Sequence, residues 1–347
     1  MKGIVFLGNR QCAVKEVPTP EPGNGEVRIK MKVSGICGSD LHVYRPAEPR
    51  DWVQGHESSG IVEKLGPNVT NLKVGDRVTV HHHQGCGQCY YCSLGDFVWC
   101  PDDKVVSGAF GEYVVANERN CVVIPDEIDF INGPFFACVG TTAYAALRRL
   151  GVEQYFPQTI AVYGLGPVGL STVCIAKSMG ARVIGIDVME ERIEVAKRCG
   201  ADATVNAATE DPVEAVVAFS GTEGVDYVVE TSGSTGGRSS IIPSLRREGK
   251  AALVGVGSDD KVINPGDMVY RRITLMGSVV FPIGWLKDFV RYCAQTGLTF
   301  EPAVTHHFRV DDGVEALCIR SFATTYSPNA PLTTLSSGHH TKSPNEQ

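Results

Sequence analysis

The sequence predicts an α/β protein in which a mostly β domain precedes a doubly wound, parallel-sheet domain. The chain has 347 residues, which suggests two domains at about 150 residues each. Its N-terminal part contains short strand-like runs separated by turn residues. From about position 142 onward, apolar strand-like runs alternate with helical patterns. These three observations together define the predicted fold class.

The N-terminal part shows the two-residue alternation of half-buried strands. Residues 26–33, 58–66 and 75–80 alternate polar and apolar side chains, and Pro, Gly and Asn separate these runs. Such punctuation is typical of antiparallel strands joined by tight turns. We therefore expect an irregular, mostly antiparallel β domain over residues 1–141.

The central part alternates strands with helices. The predicted strands are 159–164, 181–187, 203–206, 225–231, 250–256 and 273–278, and the predicted helices between the first of them are 167–179 and 190–199. Apolar strands that alternate with helices form a parallel sheet covered on both faces. Six such strands make a full dinucleotide-binding fold, which we place at residues 142–282.

The C-terminal part divides into two segments. Residues 283–320 contain a helical pattern at 285–296, a strand at 306–310 and a short helix at 311–317, and we expect them to return to the first domain. Residues 321–347 are rich in Ser, Thr and Pro without an apolar period, so we expect an atypical tail with little order. A tail that lacks a final strand would leave a sheet edge uncovered.

Composition and charge exclude several classes of partner. The net charge is −7 and no basic stripe is present, which argues against a nucleic-acid partner. No apolar run of about 18 residues predicts a membrane span, and the N-terminus lacks a signal-peptide pattern. We expect a cytoplasmic protein without a membrane partner. In that setting the 12 cysteines favour metal or redox chemistry over disulfides.

Four cysteines lie close together in the sequence, at positions Cys86, Cys89, Cys92 and Cys100. Four thiolates complete the tetrahedral shell of Zn²⁺ and leave no position for a substrate, so the spacing indicates a structural zinc site. An iron–sulfur cluster uses the same ligands. Four unrelated buried thiols are the remaining alternative.

A glycine-rich loop follows the first strand of the predicted parallel sheet. Its sequence is Gly164-Leu165-Gly166-Pro167-Val168-Gly169, and it opens a helix. Asp187 ends the next strand, at the separation from Gly164 that a dinucleotide-binding fold gives its acidic residue. This context predicts a pyrophosphate held at a helix N-terminus and ribose hydroxyls bound by Asp187. The carboxylate would repel a 2′-phosphate, so NAD is favoured over NADP, although the cationic Arg192 lies nearby.

Further candidate ligands are dispersed along the chain. Cys37, His56, Glu57 and Cys138 are residue types that bind zinc. Taken singly, each is more often a core or surface residue, and the sequence alone does not show that they converge. The run His81-His82-His83 ends a predicted strand, and we interpret it as structural.

Four motifs occur in a fixed order: Gly35-x-Cys37-Gly38-Ser39-Asp40-x-His42, then Gly55-His56-Glu57-x-x-Gly60, then the four-cysteine loop, and then Gly164-x-Gly166-x-x-Gly169. In this arrangement the chain resembles the medium-chain, zinc-dependent alcohol and polyol dehydrogenase family over residues 1–318. The resemblance implies a GroES-like β domain that carries both zinc sites and a Rossmann domain that carries NAD. It also implies two Zn²⁺ ions per chain.

The resemblance implies roles for the residues of the first domain. Cys37, His56 and Cys138 match the ligands of a catalytic zinc, and Glu57 is a carboxylate that approaches the metal. Ser39 and His42 match a relay that carries the proton of the alcohol outward, and Asp40 matches the group that orients His56.

The resemblance also implies contacts of the second domain and of the substrate. Arg192 matches a residue of the adenine site, and the residues expected near the nicotinamide half are Thr142, Thr231, Val254 and Ser278. The implied partners are a small alcohol or carbonyl compound, such as a secondary alcohol or polyol, and a second copy of the chain in a homodimer or homotetramer.

Two alternatives remain at this stage. The chain could bind NAD and zinc with little or no activity because its C-terminus departs from the family pattern, which usually ends in a strand near a Gly-Lys pair. It could also be a zinc-independent reductase on the same fold, although such a protein should lack the metal ligands.

Overall fold

The computed structural model describes residues 1–152, 158–257, 263–318 and 324–326. In these residues the strands are Lys2–Gly8 (β1), Gln11–Glu16 (β2), Glu26–Gly35 (β3), Glu57–Leu65 (β4), Arg77–Val80 (β5), His83–Gln84 (β6), Lys104–Val105 (β7), Tyr113–Asn117 (β8), Cys121–Val123 (β9), Thr159–Tyr163 (β10), Arg182–Asp187 (β11), Ala203–Asn206 (β12), Val225–Glu230 (β13), Leu245–Leu253 (β14), Thr274–Gly277 (β15), His306–Phe308 (β16) and Thr324–Tyr326 (β17). The α-helices are Gly38–Tyr44 (α1), Tyr90–Ser93 (α2), Gly133–Ala137 (α3), Val139–Leu150 (α4), Pro167–Ser178 (α5), Glu190–Arg198 (α6), Pro212–Ser220 (α7), Thr235–Ser244 (α8), Pro265–Arg271 (α9), Ile283–Thr296 (α10) and Gly313–Cys318 (α11). Short 3-10 turns lie at Phe97–Trp99, Glu118–Asn120, Phe130–Asn132, Glu301–Ala303 and Val310–Asp312.

The first domain is built on a sheet in the order β16-β17-β3-β4-β5-β9, with β8 also paired to β3. Strand β3 is antiparallel to both β4 and β8. Its alternate side chains Val27, Ile29 and Met31 are fully buried, as the two-residue period predicts. Because β3 ends at Gly35 and β4 begins at Glu57, their paired ends place two of the expected ligand segments side by side.

The second domain contains a six-stranded parallel sheet in the order β12-β11-β10-β13-β14-β15. The chain moves from β10 outward through β11 and β12, and then returns to the other side of β10 through β13. This reversal opens a crevice at the carboxyl ends of β10 and β13, where ligands of such sheets bind. The fold class predicted from the sequence is confirmed.

The two domains share one hydrophobic core. The largest cluster of buried side chains joins Ile124 and Phe135 of the first domain to Val162, Phe281 and Phe289 of the later residues. Helix α4 runs through this cluster and packs against α3 and α5. The helix that begins at one candidate ligand, Cys138, is therefore also part of the packing of the parallel sheet.

The end of the described chain differs from the prediction. A tail without regular structure was expected from residue 321, but Thr324–Tyr326 form β17, parallel to β16 and antiparallel to β3. Thr325 pairs with Gly35 and Tyr326 with Ser34. The prediction is wrong for this strand because so short a strand has no readable period and owes its conformation to its neighbours. The other residues of the predicted tail lie outside the described residues.

The helices of the described ranges differ in whether they meet the requirements for crossing a membrane. No single one is long and apolar enough, whereas the bent pair Phe130–Ala137 and Val139–Leu150 meets the length and composition together, with a bend of 56° between its parts. Its apolar side chains, among them Phe136 and Leu147, are fully buried in the shared core.

Candidate metal centres and dinucleotide site

The four-cysteine loop forms a compact donor set. The sulfur atoms of Cys86, Cys89, Cys92 and Cys100 all lie within 4.8 Å of one another. The backbone N–H groups of Cys86 and Asp102 donate to the Cys100 sulfur at 3.2 and 3.4 Å, which fixes the position of this sulfur in the loop. Thiolates bound to one tetrahedral Zn²⁺ are about 3.8 Å apart. The donor set therefore fits a zinc ion with a closed shell.

Glycine is required at the start of this loop. A Cβ atom added to Gly85 would lie 2.4 Å from the Cys92 sulfur, and Gly87 adopts a positive φ of +88°. Other residues at these positions would push the backbone away from the sulfur atoms. The tight turn that brings the first cysteines to the last one is thus encoded locally.

The structure brings the dispersed residues together in a second donor set. Cys37, His56, Glu57 and Cys138 each offer one ligand atom, and these atoms lie within 4.8 Å of one another. Cys37 precedes α1, His56 precedes β4, Glu57 begins β4, and Cys138 lies at the bend between α3 and α4. Two thiolates and one imidazole leave a fourth position for another ligand, as catalytic zinc sites require.

Asp40 connects two members of this set. Its buried carboxylate accepts a hydrogen bond from His56 Nδ1 at 3.0 Å and another from the Cys37 backbone N–H at 2.7 Å. Burial raises the pKa of the Asp40 carboxyl, and the neighbouring His56 opposes this shift. Since Nδ1 carries the proton toward Asp40, His56 Nε2 is left for a metal ion.

Glu57 provides an independent test of whether a metal fits. Its side chain is 3% exposed, and its Oε1 atom has no hydrogen-bond partner in the part of the chain that the structure describes. Burial and the nearby Cys37 raise the pKa of the Glu57 carboxyl well above its usual range. An unpaired buried carboxyl oxygen is costly, and a cation among the four donors would offset that cost.

The two residues of the expected proton relay lie near the protein surface. Ser39 and His42 are both on α1 and both exposed. The Ser39 hydroxyl lies 3.5 Å from His56 Nε2, the nitrogen available to a metal. Ser39 is thus positioned beside the donor set, with His42 one helical turn further along α1.

The glycine-rich loop has the tight geometry that its sequence predicts. Gly164 has a positive φ of +89°, and a Cβ atom on Gly169 would lie 1.8 Å from the Gly164 carbonyl oxygen. Helix α5 begins at Pro167, after the extended Gly166. The loop therefore presents the N-terminus of α5 to the crevice at the carboxyl ends of β10 and β13.

A cavity of about 520 Å³ opens at this point, and its walls include Gly164, Gly166, Asp187, Arg192 and Thr231. The Asp187 carboxylate accepts the Leu165 backbone N–H at 2.7 Å and lies 3.5 Å from the Arg192 guanidinium. It thereby ties the end of β11 to the glycine loop. Its other oxygen accepts the Val188 and Met189 backbone N–H groups at 2.8 and 3.0 Å, and the residue lines a space large enough for part of a nucleotide.

Six of the predicted residues are not among those that line this cavity in the described ranges: Pro167, Val168 and Gly169 at the start of α5, and Thr142, Val254 and Ser278. Val254 and Ser278 directly follow β14 and β15, and the Ser278 hydroxyl accepts a hydrogen bond from Arg149 at 2.8 Å. Thr142 is buried in α4, where its N–H donates to the Cys138 carbonyl. Thr231, by contrast, follows β13 and its hydroxyl donates to the Gly164 carbonyl at 2.6 Å.

His82 borders the second donor set, and the sequence did not predict this. The structural interpretation fits His81, whose Nε2 donates to the Phe281 carbonyl and whose Nδ1 accepts the His83 N–H. The His82 ring, however, lies 5.1 Å from the His56 ring, and its Nδ1 donates to the Ala137 carbonyl. Because β5 ends at Val80, strand alternation does not govern these residues. No signal in the spacing identifies His82.

Comparison with known proteins agrees with the geometry. Residues 23–126 match the family model "Alcohol dehydrogenase GroES-like domain", and residues 167–294 match "Zinc-binding dehydrogenase". An alcohol dehydrogenase of Geobacillus stearothermophilus is 34% identical over 301 residues, covering 84% of this chain and 88% of that protein. A sorbitol dehydrogenase of Bacillus subtilis is 34% identical over 274 residues, covering 76% of this chain and 77% of that protein.

Solved structures of similar proteins have the same fold. The alcohol dehydrogenase from Thermus sp. ATN1 superposes with a TM-score of 0.87 at 27% identity, over 94% of this chain and 99% of that one. An alcohol dehydrogenase from Escherichia coli, solved in complex with NADH, gives a TM-score of 0.84 at 26% identity, over 94% and 98%. The chain belongs to the medium-chain, zinc-dependent alcohol and polyol dehydrogenase family, and it is an oxidoreductase of alcohols.

Proposed function

We propose that the protein transfers a hydride between NAD and an alcohol, which is a secondary alcohol, a polyol or a similar compound. Oxidation of a secondary hydroxyl gives a ketone, and oxidation of a primary hydroxyl gives an aldehyde. The observation that carries this proposal is the convergence of Cys37, His56, Glu57 and Cys138 on one point, with Asp40 fixing the tautomer of His56. That donor set has the composition of a catalytic zinc site rather than a structural one.

Cys37, His56 and Cys138 would hold the zinc ion, with Glu57 beside it. When bound, zinc supplies a Lewis acid that lowers the pKa of the substrate hydroxyl. Ser39 would accept the hydroxyl proton while it gives up its own proton toward His42, and His42 would release a proton to solvent. Both side chains are exposed on α1, which suits a path from the site to water. The second zinc, at Cys86, Cys89, Cys92 and Cys100, would stabilise its loop.

The dinucleotide would lie along the carboxyl edge of the parallel sheet. The N–H groups at the start of α5 would bind the pyrophosphate, and Asp187 would accept hydrogen bonds from the adenosine ribose. A carboxylate at that place disfavours a 2′-phosphate, so NAD is the proposed cofactor, with Arg192 beside the adenine. Thr142, Thr231, Val254 and Ser278 would approach the nicotinamide half, the latter three from loops that follow β13, β14 and β15.

The wider organisation is proposed on the same basis. We assign residues 1–141 and 283–320 to the catalytic domain and residues 142–282 to the NAD-binding domain. A homodimer or homotetramer and a cytoplasmic location complete the proposal. Size-exclusion chromatography with light scattering measures the first, and cell fractionation the second.

Zinc content tests the assignment of the sites. Protein purified without chelator should contain two zinc ions per chain and oxidise secondary alcohols with NAD. Cys37→Ala should retain one zinc and lose at least about a hundredfold in kcat/KM, because an essential ligand is gone. Cys293→Ala, which removes a buried cysteine outside both donor sets, is the matched control and should retain two.

The same measurement separates the alternatives. One zinc in both the wild type and Cys37→Ala would mean that the second donor set binds no metal. Two zinc ions without turnover of any alcohol would instead favour a zinc- and NAD-binding protein that is catalytically silent.

A further inference from the structure

We propose that His82 selects the substrate: its Nε2 atom hydrogen-bonds a hydroxyl on the carbon next to the reacting carbon, so that vicinal diols and polyols are preferred over simple alcohols. This inference rests on the proposed alcohol oxidation. It adds the residue that binds a second substrate hydroxyl, next to the one that is oxidised.

His82 lies next to two of the proposed zinc ligands, His56 and Cys138. Its side chain is 6% exposed, and its ring centroid lies 5.1 Å from that of His56. Its Nδ1 atom is 2.9 Å from the carbonyl oxygen of Ala137, the residue before Cys138. The imidazole therefore forms part of the wall of the catalytic donor set although it is not one of the four donors.

The hydrogen bond to Ala137 determines how the ring is used. A carbonyl oxygen only accepts, so Nδ1 must carry a proton, and in the neutral ring Nε2 is left with a lone pair. Nε2 makes no hydrogen bond to another described residue, and it is not among the fully buried unpaired atoms, so a small ligand can reach it. A substrate bound at the open metal position can therefore supply the hydrogen-bond partner of this nitrogen.

Among the described residues, His82 is the one of these three neighbouring histidines whose ring contacts the His56 ring. His81 uses both ring nitrogens within the protein, on the Phe281 carbonyl and the His83 N–H. His83 Nδ1 lies 2.6 Å from the Asp103 carboxylate, and its ring centroid lies 4.6 Å from that of His82. Phe281 packs against His82 at 6.1 Å between ring centroids and so limits the positions that the ring can take.

A hydroxyl is the substrate group that this arrangement recognises best. It donates to a lone pair and also accepts from an N–H, so it pairs with Nε2 in either protonation state of the ring. A site that hydrogen-bonds a substrate hydroxyl discriminates strongly against an analogue without it, because the protein group is then left buried and unpaired. An apolar side chain at position 82 would not discriminate in this way.

The test compares 2,3-butanediol with 2-butanol, which differ by one hydroxyl, as substrates with NAD. The wild type should prefer the diol in kcat/KM. His82→Phe keeps a flat ring without the nitrogen atoms, and it should lower kcat/KM for the diol about tenfold or more while changing that for 2-butanol by less than about threefold. His82→Leu is a second apolar variant in case the Phe variant does not fold. Both variants should retain two zinc ions per chain.

A binding measurement without turnover provides an independent readout. The amides 2-hydroxypropanamide and 2-methylpropanamide differ only in a hydroxyl that replaces a methyl group, and neither accepts a hydride. Quenching of NADH fluorescence gives their dissociation constants from the enzyme–NADH complex. The wild type should bind the hydroxy amide about tenfold more tightly, and His82→Phe should remove the difference.

The outcomes distinguish this inference from the proposed function. Oxidation of 2-butanol without a preference for the diol or the hydroxy amide would overturn the role of His82 and leave the alcohol oxidation standing. An equal loss for both alcohols in His82→Phe, accompanied by loss of zinc, would show that His82 only supports the metal site. Absence of turnover in the wild type would overturn the proposed function, and the amide pair would still decide the role of His82.

Discussion

Asp40 links two of the proposed zinc ligands through a single carboxylate. One oxygen holds His56 and the other holds the backbone of Cys37, so the rotamer of one ligand and the chain position of the other are coupled. A residue that binds no metal itself thus determines the spacing of the donor set. Such groups commonly affect metal affinity nearly as much as the ligands do.

We expect Asp40→Asn to weaken zinc binding at the catalytic set and to lower kcat/KM by about 10- to 100-fold. If the amide oxygen still accepts from His56, the amide N–H₂ must face the Cys37 N–H, which places two donors together. Zinc affinity by chelator competition and steady-state kinetics measure the effect. Asp311→Asn, which removes an exposed carboxylate paired with Lys2, is the control. Equal zinc affinities in the two variants would contradict the prediction.

The protonation of His81 makes the free energy of unfolding depend on pH. Burial lowers the pKa of His81 from its ordinary value of 6.5 to about 4, and both ring nitrogens are used within the protein. The unfolded chain therefore binds a proton before the native state does as the pH falls. The contribution of neutral His81 to stability is present above pH 6.5 and is lost progressively between pH 6.5 and 4.

From this shift we expect His81 to account for about 2 kcal/mol of the stability lost between pH 7 and pH 5. Urea unfolding at the two pH values measures that loss. His81→Gln cannot titrate, so its free energy of unfolding should fall by less than that of the wild type, and the difference should equal the His81 contribution. His42→Gln makes the same change at an exposed position and serves as the control. Identical losses in the wild type and His81→Gln would rule out this role.

At the scale of elements, the short strand β17 supports the catalytic site. It lies between β16 and β3, and Thr325 is paired with Gly35, which shortly precedes Cys37. Since a strand with neighbours on both sides uses its N–H and C=O groups in the ladder, β17 holds the end of β3 in place. The departure of the C-terminal sequence from the family pattern has therefore not removed this strand.

Thr325→Pro should lower the free energy of unfolding by more than about 1 kcal/mol, because proline removes an N–H from a strand paired on both sides. The same variant should weaken zinc binding at Cys37, since β3 leads directly to it. Thr325→Val keeps the N–H and should behave as the wild type in urea unfolding and zinc titration. If the proline variant is as stable as the valine variant, β17 does not support the sheet in solution.

At the scale of the whole molecule, the shared hydrophobic core connects the two domains, and we expect them to unfold together in one transition. Phe289 on α10 is fully buried and contacts rings from both sides of the predicted boundary, with centroid distances of 5.7 Å to Phe136 and 4.8 Å to Tyr144. Helix α4 carries Cys138 at its start and packs on the parallel sheet. Packing at the boundary therefore reaches both the metal site and the dinucleotide domain.

Phe289→Ala should lower the free energy of unfolding by about 3–5 kcal/mol, because it leaves a cavity among rings of both domains. Circular dichroism and tryptophan fluorescence should report one common transition in urea. Val269→Ala, at a side chain that is 75% exposed on α9, is the control and should change stability by less than about 0.5 kcal/mol. Two separate transitions, with only one of them shifted, would refute a shared core.

Much of the site could be predicted wherever its residues are close in sequence. The cysteines at 86, 89, 92 and 100 were recognised from spacing, and the structure places their sulfur atoms together. The glycine loop and Asp187 were recognised from their place between strand and helix. For Cys37, His56, Glu57 and Cys138, the resemblance to a family was needed, because their spacing has no period. His82 was interpreted as structural together with its two neighbours, and its spacing did not indicate a place beside the donor set.

The amino-acid sequence by itself determined the strands of the parallel sheet, the helices that follow its first two strands, the four-cysteine loop and the glycine turn at Gly164. These depend on side-chain period, short loop closure and backbone sterics, which act over a few residues. Only the tertiary structure decided that β17 covers β3, that Ser278 pairs with Arg149, and that His82 borders the donor set. Contacts between residues that are distant in sequence depend on how sheets and helices pack. The local pattern of side chains does not determine that packing.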